Sequence, residues 1–209
     1  MPDRKERLER KEAQMEKRDV SPIIFKRTVY TFAHLSAAAG HAISNGRARP
    51  DGSFFEWMTA AVFSAFSLEA YLNHLGSQRF KCWEKLERLS VEAKLSLILE
   101  DLGKTPDFSR RPFQTVKTLL RLRNQLAHGR TQRVEEETIQ TLAPSERPRY
   151  PALNWEALCT EKKAKLFHED SIAVIRQLDE WTGLSDPLLL FSLEEGTSTT
   201  CPIQDAEKR

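Results

Sequence analysis

The residues best suited to chemistry are Arg121, Arg123, Asn124 and His128, in the stretch Arg121-Leu122-Arg123-Asn124-Gln125-Leu126-Ala127-His128-Gly129. A neutral imidazole can take the proton from a ribose 2′-hydroxyl, because its pKa lies near working pH. A guanidinium can grip the scissile phosphate in two places and stabilise the charge growing on it. Arginine and histidine therefore suffice for metal-free RNA transesterification, leaving a 2′,3′-cyclic phosphate and a 5′-hydroxyl. DNA lacks the nucleophile and is spared. The same stretch also has a purely structural reading. Basic residues in a last helical turn followed by glycine are ordinary helix-ending chemistry, favourable with the helix dipole.

Spacing sharpens the choice. Asn124 and His128 are four residues apart and share a helix face, so Asn124 is placed to hydrogen-bond the His128 ring and fix its tautomer. Arg123 falls in line with Val116, Leu119 and Leu120, on the stripe that faces the core. A guanidinium there is costly unless it reaches a partner or opens into a cleft. Arg123 and His128 lie about 140° apart on a continuous helix, so they converge only if the helix ends near Ala127. Gly129 supplies such an ending. A second segment, Ser67-Leu68-Glu69-Ala70-Tyr71-Leu72-Asn73-His74, puts Glu69 and Asn73 on one face of an otherwise apolar helix. A carboxylate in that setting needs a cation, and Arg123 is the natural candidate, with Arg121 next.

The surroundings of the stretch are basic. The net charge of the 209 residues is only +2. Between Lys104 and Arg133, however, Lys104, Arg110, Arg111, Lys117, Arg121, Arg123, Arg130 and Arg133 face the single acid Asp107. A phosphate-bearing partner needs such a local cluster, and Arg121, Arg130, Lys117 and Arg133 are its candidate RNA contacts.

The elements that must position these groups follow from periodicity. Residues 1–26 form a charged N-terminal arm, helical or disordered, with few apolar residues to dock it. Residues 27–44 carry Val29, Phe32, Ala33, Ala37 and Ile43 at helical spacing, stopped by Asn45 and Gly46. After the turn Pro50-Asp51-Gly52, a helix runs to about Leu75, apolar around nearly its whole circumference and therefore central. Ser90 caps a helix ending near Gly103, Pro112 opens the helix that bears the motif, and Thr160 caps residues 161–182. Residues 129–159 read as an irregular loop, Pro187–Leu193 as a short apolar segment that docks on the bundle, and 194–209 as a flexible polar tail. The fold class is all-α: an antiparallel helical bundle of four to five core helices, one domain over 27–193, flanked by arm and tail.

Other signals are weaker. Cys82, Cys159 and Cys201 are odd in number and scattered, which argues against a disulfide framework and a zinc site and suits a reducing cytoplasm. No metal or other cofactor is expected. No apolar run approaches a membrane span, and the first eighteen residues lack the apolar region of a secretory leader. His34 and His41 lack carboxylates at ligand spacing, His168 points away from its neighbours Glu169 and Asp170, and Glu135-Glu136-Glu137 reads as a solvated face. No phosphate loop, dinucleotide fingerprint or serine-hydrolase elbow is present.

At these residues the chain resembles the HEPN superfamily, nucleotide-binding helical proteins of higher eukaryotes and prokaryotes. Arg123-Asn124-Gln125-Leu126-Ala127-His128 fits that family's arginine, polar residue, short spacer, histidine pattern. The helix with Phe66, Leu68, Glu69, Tyr71, Leu72 and Asn73 looks like the family's long central helix, and the resemblance covers about residues 54–182. It implies an α-helical bundle, often a homodimer that brings two such motifs across one cleft. It implies metal-independent endoribonuclease activity in many members, in toxin–antitoxin, abortive-infection or other defence systems. Others are catalytically silent modules that bind RNA, a nucleotide or a protein partner. By this resemblance Arg123 and His128 would be catalytic, with Asn124, Glu69 and Asn73 in support, RNA as substrate and an antitoxin as a further partner. Where some members carry a modified tyrosine two residues after the histidine, this chain has Arg130.

Overall fold

The computed structural model describes residues 23–135, 137, 150–183 and 190–200. They form two units: a β-ribbon containing β1 and β2, and a helical unit spanning Tyr30–Leu193. The elements are β1 (Ile23–Val29), α1 (Thr31–Ala48), α2 (Phe54–Arg79), a single turn α3 (Trp83–Leu86), α4 (Val91–Asp101), α5 (Phe113–Ala127), a 3₁₀ turn at Glu156–Leu158, α6 (Glu161–Thr182) and β2 (Glu194–Thr200). The helical unit is an all-α bundle, as its periodicity predicts. Among the described residues, no helix is long and apolar enough to cross a membrane.

α2 is the axis of the bundle. Ala60, Ala61, Leu68 and Leu72 are fully buried, and α1, α4, α5 and α6 all pack against it. A helix apolar on every side has no other stable position. Hydrogen bonds fix its neighbours. Ser67 Oγ donates to the Phe32 carbonyl at 2.7 Å, tying α2 to α1. Tyr71 Oη donates to Asp179 Oδ1 at 3.1 Å, tying α2 to α6. Arg111, just before α5, forks onto the buried Asp170 of α6 at 2.8 and 2.7 Å.

Local caps hold where the sequence places them. Ser90 Oγ accepts from Ala93 N at 3.2 Å and Thr160 Oγ1 from Lys163 N at 3.4 Å. Gly103 follows α4 with φ +63°, the left-handed conformation that glycine adopts without strain. Leu190 is buried in the core, so the described part of the Pro187–Leu193 segment does dock on the bundle.

Several expectations are corrected. α1 begins at Thr31 and not at residue 27, and it runs through Asn45 and Gly46 to Ala48. Gly46 is no stop: a Cβ there would lie 2.6 Å from Trp57 Cη2, so the glycine lets the indole of α2 lie against α1. Val29 and Ala37 are exposed, not inward-facing. Residues 23–26, expected in the arm, and 194–200, expected in the flexible tail, form instead an antiparallel ribbon pairing Ile23 with Thr200 and Val29 with Glu194. The β-branched Thr28, Val29 and Thr197 suit a pleated surface. Arg27 and Glu194 form an ion pair within it. Residues 1–22 and 201–209 of the arm and tail, 136 and 138–149 of the expected 129–159 loop, and 187–189 of the expected 187–193 segment lie outside the described residues.

Candidate functional site

α5 carries its apolar stripe, Phe113, Val116, Leu119 and Leu120, into the core. Arg123 comes next on that stripe, at the edge of the bundle where the stripe meets solvent. Its side chain is 23% exposed and faces Glu69 of α2, 21% exposed. Arg123 Nη2 donates to Glu69 Oε2 at 2.8 Å, and Arg123 Nη1 donates to Asn124 Oδ1 at 2.9 Å. The guanidinium carbon lies 5.7 Å from the Phe66 ring centroid, a cation–π distance. Arg123 Nε is buried and has no hydrogen-bond partner among the described residues.

The helix ends where convergence requires. α5 stops at Ala127, and His128 leaves helical geometry at φ −113°, ψ 20°. Arg123, Asn124 and His128 thereby line one cleft of about 440 Å³. Glu69 forms its wall from α2, and Glu87, Arg88, Leu89, Ser90 and Val91 close it from the connection into α4. The ending does not use glycine in the expected way. Gly129 has no positive φ. A Cβ on it would come within 3.1 Å of the Gln125 carbonyl, so its small size serves the close return of the chain.

Four of the expected site residues, Arg123, His128, Asn124 and Glu69, meet in this cleft. Asn73 does not line it, and its Oδ1 is buried without a partner among the described residues. Arg121, Lys117, Arg130 and Arg133 are exposed and also lie outside the lining. Lys117 borders a smaller apolar hollow with Phe108, Leu95, Val116 and Leu120 instead. The expected Asn124–His128 bond is replaced. Asn124 Oδ1 accepts from Arg123, and among the described residues the His128 ring has no hydrogen-bond partner. Adjacent residues won over the four-residue spacing because the long Arg123 side chain can fold back at the helix end, where His128 has already turned out of register.

Two charged residues at the site, Lys94 and Arg88, escaped the sequence reading. Lys94 of α4 is almost entirely buried, with 3% of its side chain exposed, and its Nζ lies 3.3 Å from Glu69 Oε1. The two oxygens of Glu69 are thus divided between two cations, one behind it in the core and one in the cleft. The signal was present: Lys94 lies on the stripe of Val91, Leu95 and Ile98, where a lysine is as misplaced as Arg123 is on its own helix. Arg88 was missed because nothing in its local pattern marks it.

Chemically, the cleft offers an exposed imidazole and a guanidinium with donors that no hydrogen bond among the described residues occupies. It also opens onto the first turn of α4, whose amide end favours negative charge. Among the described residues no three His, Cys, Asp or Glu side chains converge as a metal site. Comparison of the chain with protein-family models, curated proteins and solved structures found no match.

Proposed function

We propose that this is a HEPN-like endoribonuclease that cleaves RNA without a metal ion, His128 and Arg123 acting on a phosphodiester held in the cleft. His128 takes the proton of the 2′-hydroxyl. The 2′-oxygen attacks phosphorus, the bond from phosphorus to the 5′-oxygen breaks, and that oxygen leaves taking a proton from a solvent water, while the proton on His128 is returned to solvent. Arg123 balances the charge that grows on the non-bridging oxygens. Asn124 and Glu69 hold the guanidinium, while Arg121, Lys117, Arg130 and Arg133 bind flanking phosphates. A homodimer would place two such clefts together, and a role as a toxin or antiphage effector held by an antitoxin fits this chemistry.

The observation that carries the reading is convergence. Five residues apart on a helix, Arg123 and His128 would diverge; the break at Ala127 puts both on one cleft. A second reading, a catalytically silent module that binds RNA, a nucleotide or a protein, is favoured by one feature. Among the described residues the His128 ring has no hydrogen-bond partner to fix its tautomer, which a general base ordinarily has.

The test is RNA cleavage by the purified protein in excess EDTA, beside His128→Ala and Arg123→Ala. Products ending in 2′,3′-cyclic phosphate, lost in both folded variants, support the nuclease. Binding of labelled RNA by a wild type that cleaves none of it supports the second reading.

A further inference from the structure

Lys94 has no role in the reaction just described, and among the described residues it is the one lysine or arginine that is buried. A lysine costs more to bury than an apolar residue of its size, so its place on the inner face of α4 is not explained by stability. Its one ionic partner among the described residues is Glu69, which already has Arg123. A single carboxylate between two cations leaves a cluster of net charge +1 at the base of the cleft. The rim adds no net charge, because Arg88 and Glu87 oppose each other.

Without Lys94, the pair Glu69–Arg123 is neutral and the cleft has little attraction for an anion. With it, the carboxylate is compensated from behind and the charge of Arg123 remains for whatever enters. Two hydrogen bonds occupy part of the guanidinium, and the rest of its five donors remain. Arg123 is held by Glu69 without being neutralised by it.

We propose that Lys94 is a positioning residue that makes this cleft an anion site, by compensating the charge of Glu69 so that Arg123 presents an unspent positive charge to a phosphate group. The inference shares its ligand class with the nuclease reading but does not depend on cleavage.

The experiment is a titration of the full chain with inorganic phosphate, read from the Arg123 guanidinium resonances. Lys94→Met should weaken binding about tenfold, the order of one charge–charge interaction at close range. Lys94→Arg should restore it. The decisive variant is Lys94→Met with Glu69→Gln, which removes both opposing charges and should return the affinity to within about twofold of wild type. Should Lys94→Met fail to fold, Glu69→Gln alone decides, since loss of the carboxylate then tightens phosphate binding. The proposal is overturned if wild type binds no phosphate, if Lys94→Met binds like wild type, if the double variant stays as weak as Lys94→Met, or if Glu69→Gln binds more weakly. Phosphate binding that behaves as expected in a protein that cleaves no RNA ends the nuclease reading alone. Cleavage with an unaffected Lys94→Met ends this one alone.

Discussion

Glu69 holds Arg123 through a 2.8 Å bond from the guanidinium Nη2 to its Oε2, and it holds Lys94 with its other oxygen at 3.3 Å. The three side chains are not equivalent. Lys94 is sealed in the core, whereas Arg123 and Glu69 reach the cleft wall. The arrangement joins packing to chemistry, because the residue that anchors the candidate catalytic arginine is also the counter-ion of a buried ammonium.

Removal of Glu69 is therefore expected to cost far more stability than removal of Arg123. Glu69→Ala leaves Lys94 buried without a counter-ion, a loss of about 3 kcal/mol. Arg123→Ala leaves Glu69 paired with Lys94 and removes the two bonds to Glu69 and Asn124 at the edge of solvent, a loss of about 1 kcal/mol. Urea unfolding of both variants measures the difference. Equal losses would mean that Lys94 finds another acceptor when Glu69 is gone.

His128 is expected to separate activity from stability most cleanly. The residue is exposed, and no hydrogen bond ties its ring to another described residue. His128→Ala should change unfolding free energy by no more than about 0.5 kcal/mol. The same change should lower RNA cleavage at least about a hundredfold, the usual contribution of a general base. Parallel denaturation and cleavage measurements on one preparation check both halves.

What the sequence disclosed, it disclosed through local chemistry. The Ser90 and Thr160 caps are fixed by a hydroxyl and the stripe that follows it, all within one turn. The central position of α2 is written in its apolar circumference, and the convergence of Arg123 with His128 in a helix end near Ala127. Long-range partners left no local trace. β1 and β2 lie near opposite ends of the chain, so neither segment announces the other. Gly46 looked like a helix stop because the indole that needs its missing Cβ belongs to the next helix. Lys94 was legible by the same argument that singled out Arg123, but a lone lysine among acids reads as surface until its stripe is drawn. The exchange of Asn124 from His128 to Arg123 is a competition between two partners, and spacing alone does not decide competitions.

Gly46 offers a test of packing away from the cleft. A methyl group there meets the Trp57 ring at 2.6 Å, closer than carbon atoms tolerate. Gly46→Ala ordinarily gains helix stability, but here the indole must shift, and the net effect should be a loss of about 1–3 kcal/mol. Pairing it with Trp57→Leu should recover part of that loss. Thermal unfolding of the single and double variants reads the coupling, and a stabilised Gly46→Ala would show that the indole moves freely.

The cysteines should differ sharply in reactivity. Cys159 is buried, and burial, helped by the nearby Glu156 charge, pushes its thiol up to about 11, so it stays protonated at neutral pH. Cys82 is exposed. Iodoacetamide on the native protein, followed by peptide mapping, should label Cys82 and leave Cys159 unmodified until denaturant is added. Native labelling of Cys159 would mean that the turn at Glu156–Leu158 opens readily.

Mild acid should weaken the bundle before it protonates most carboxylates. His74 is set among the rings of Tyr30, Phe32 and Tyr71, and burial lowers its pKa from 6.5, against an opposing pull from Asp179. Burial lowers His168 likewise, against Glu169. A histidine whose folded pKa is depressed adds no penalty above the free value, where both states are neutral. Below 6.5 the unfolded chain takes up the proton more readily, so stability falls as pH drops through the window between the free value and the lower folded one. The melting temperature should therefore decline as the pH is lowered below about 7, until the folded imidazoles too have taken up their protons. His74→Gln and His168→Gln should each flatten that decline, and together should remove most of it. If the double variant declines as steeply as wild type, the acid sensitivity lies with other groups and the two imidazoles are not the sensors.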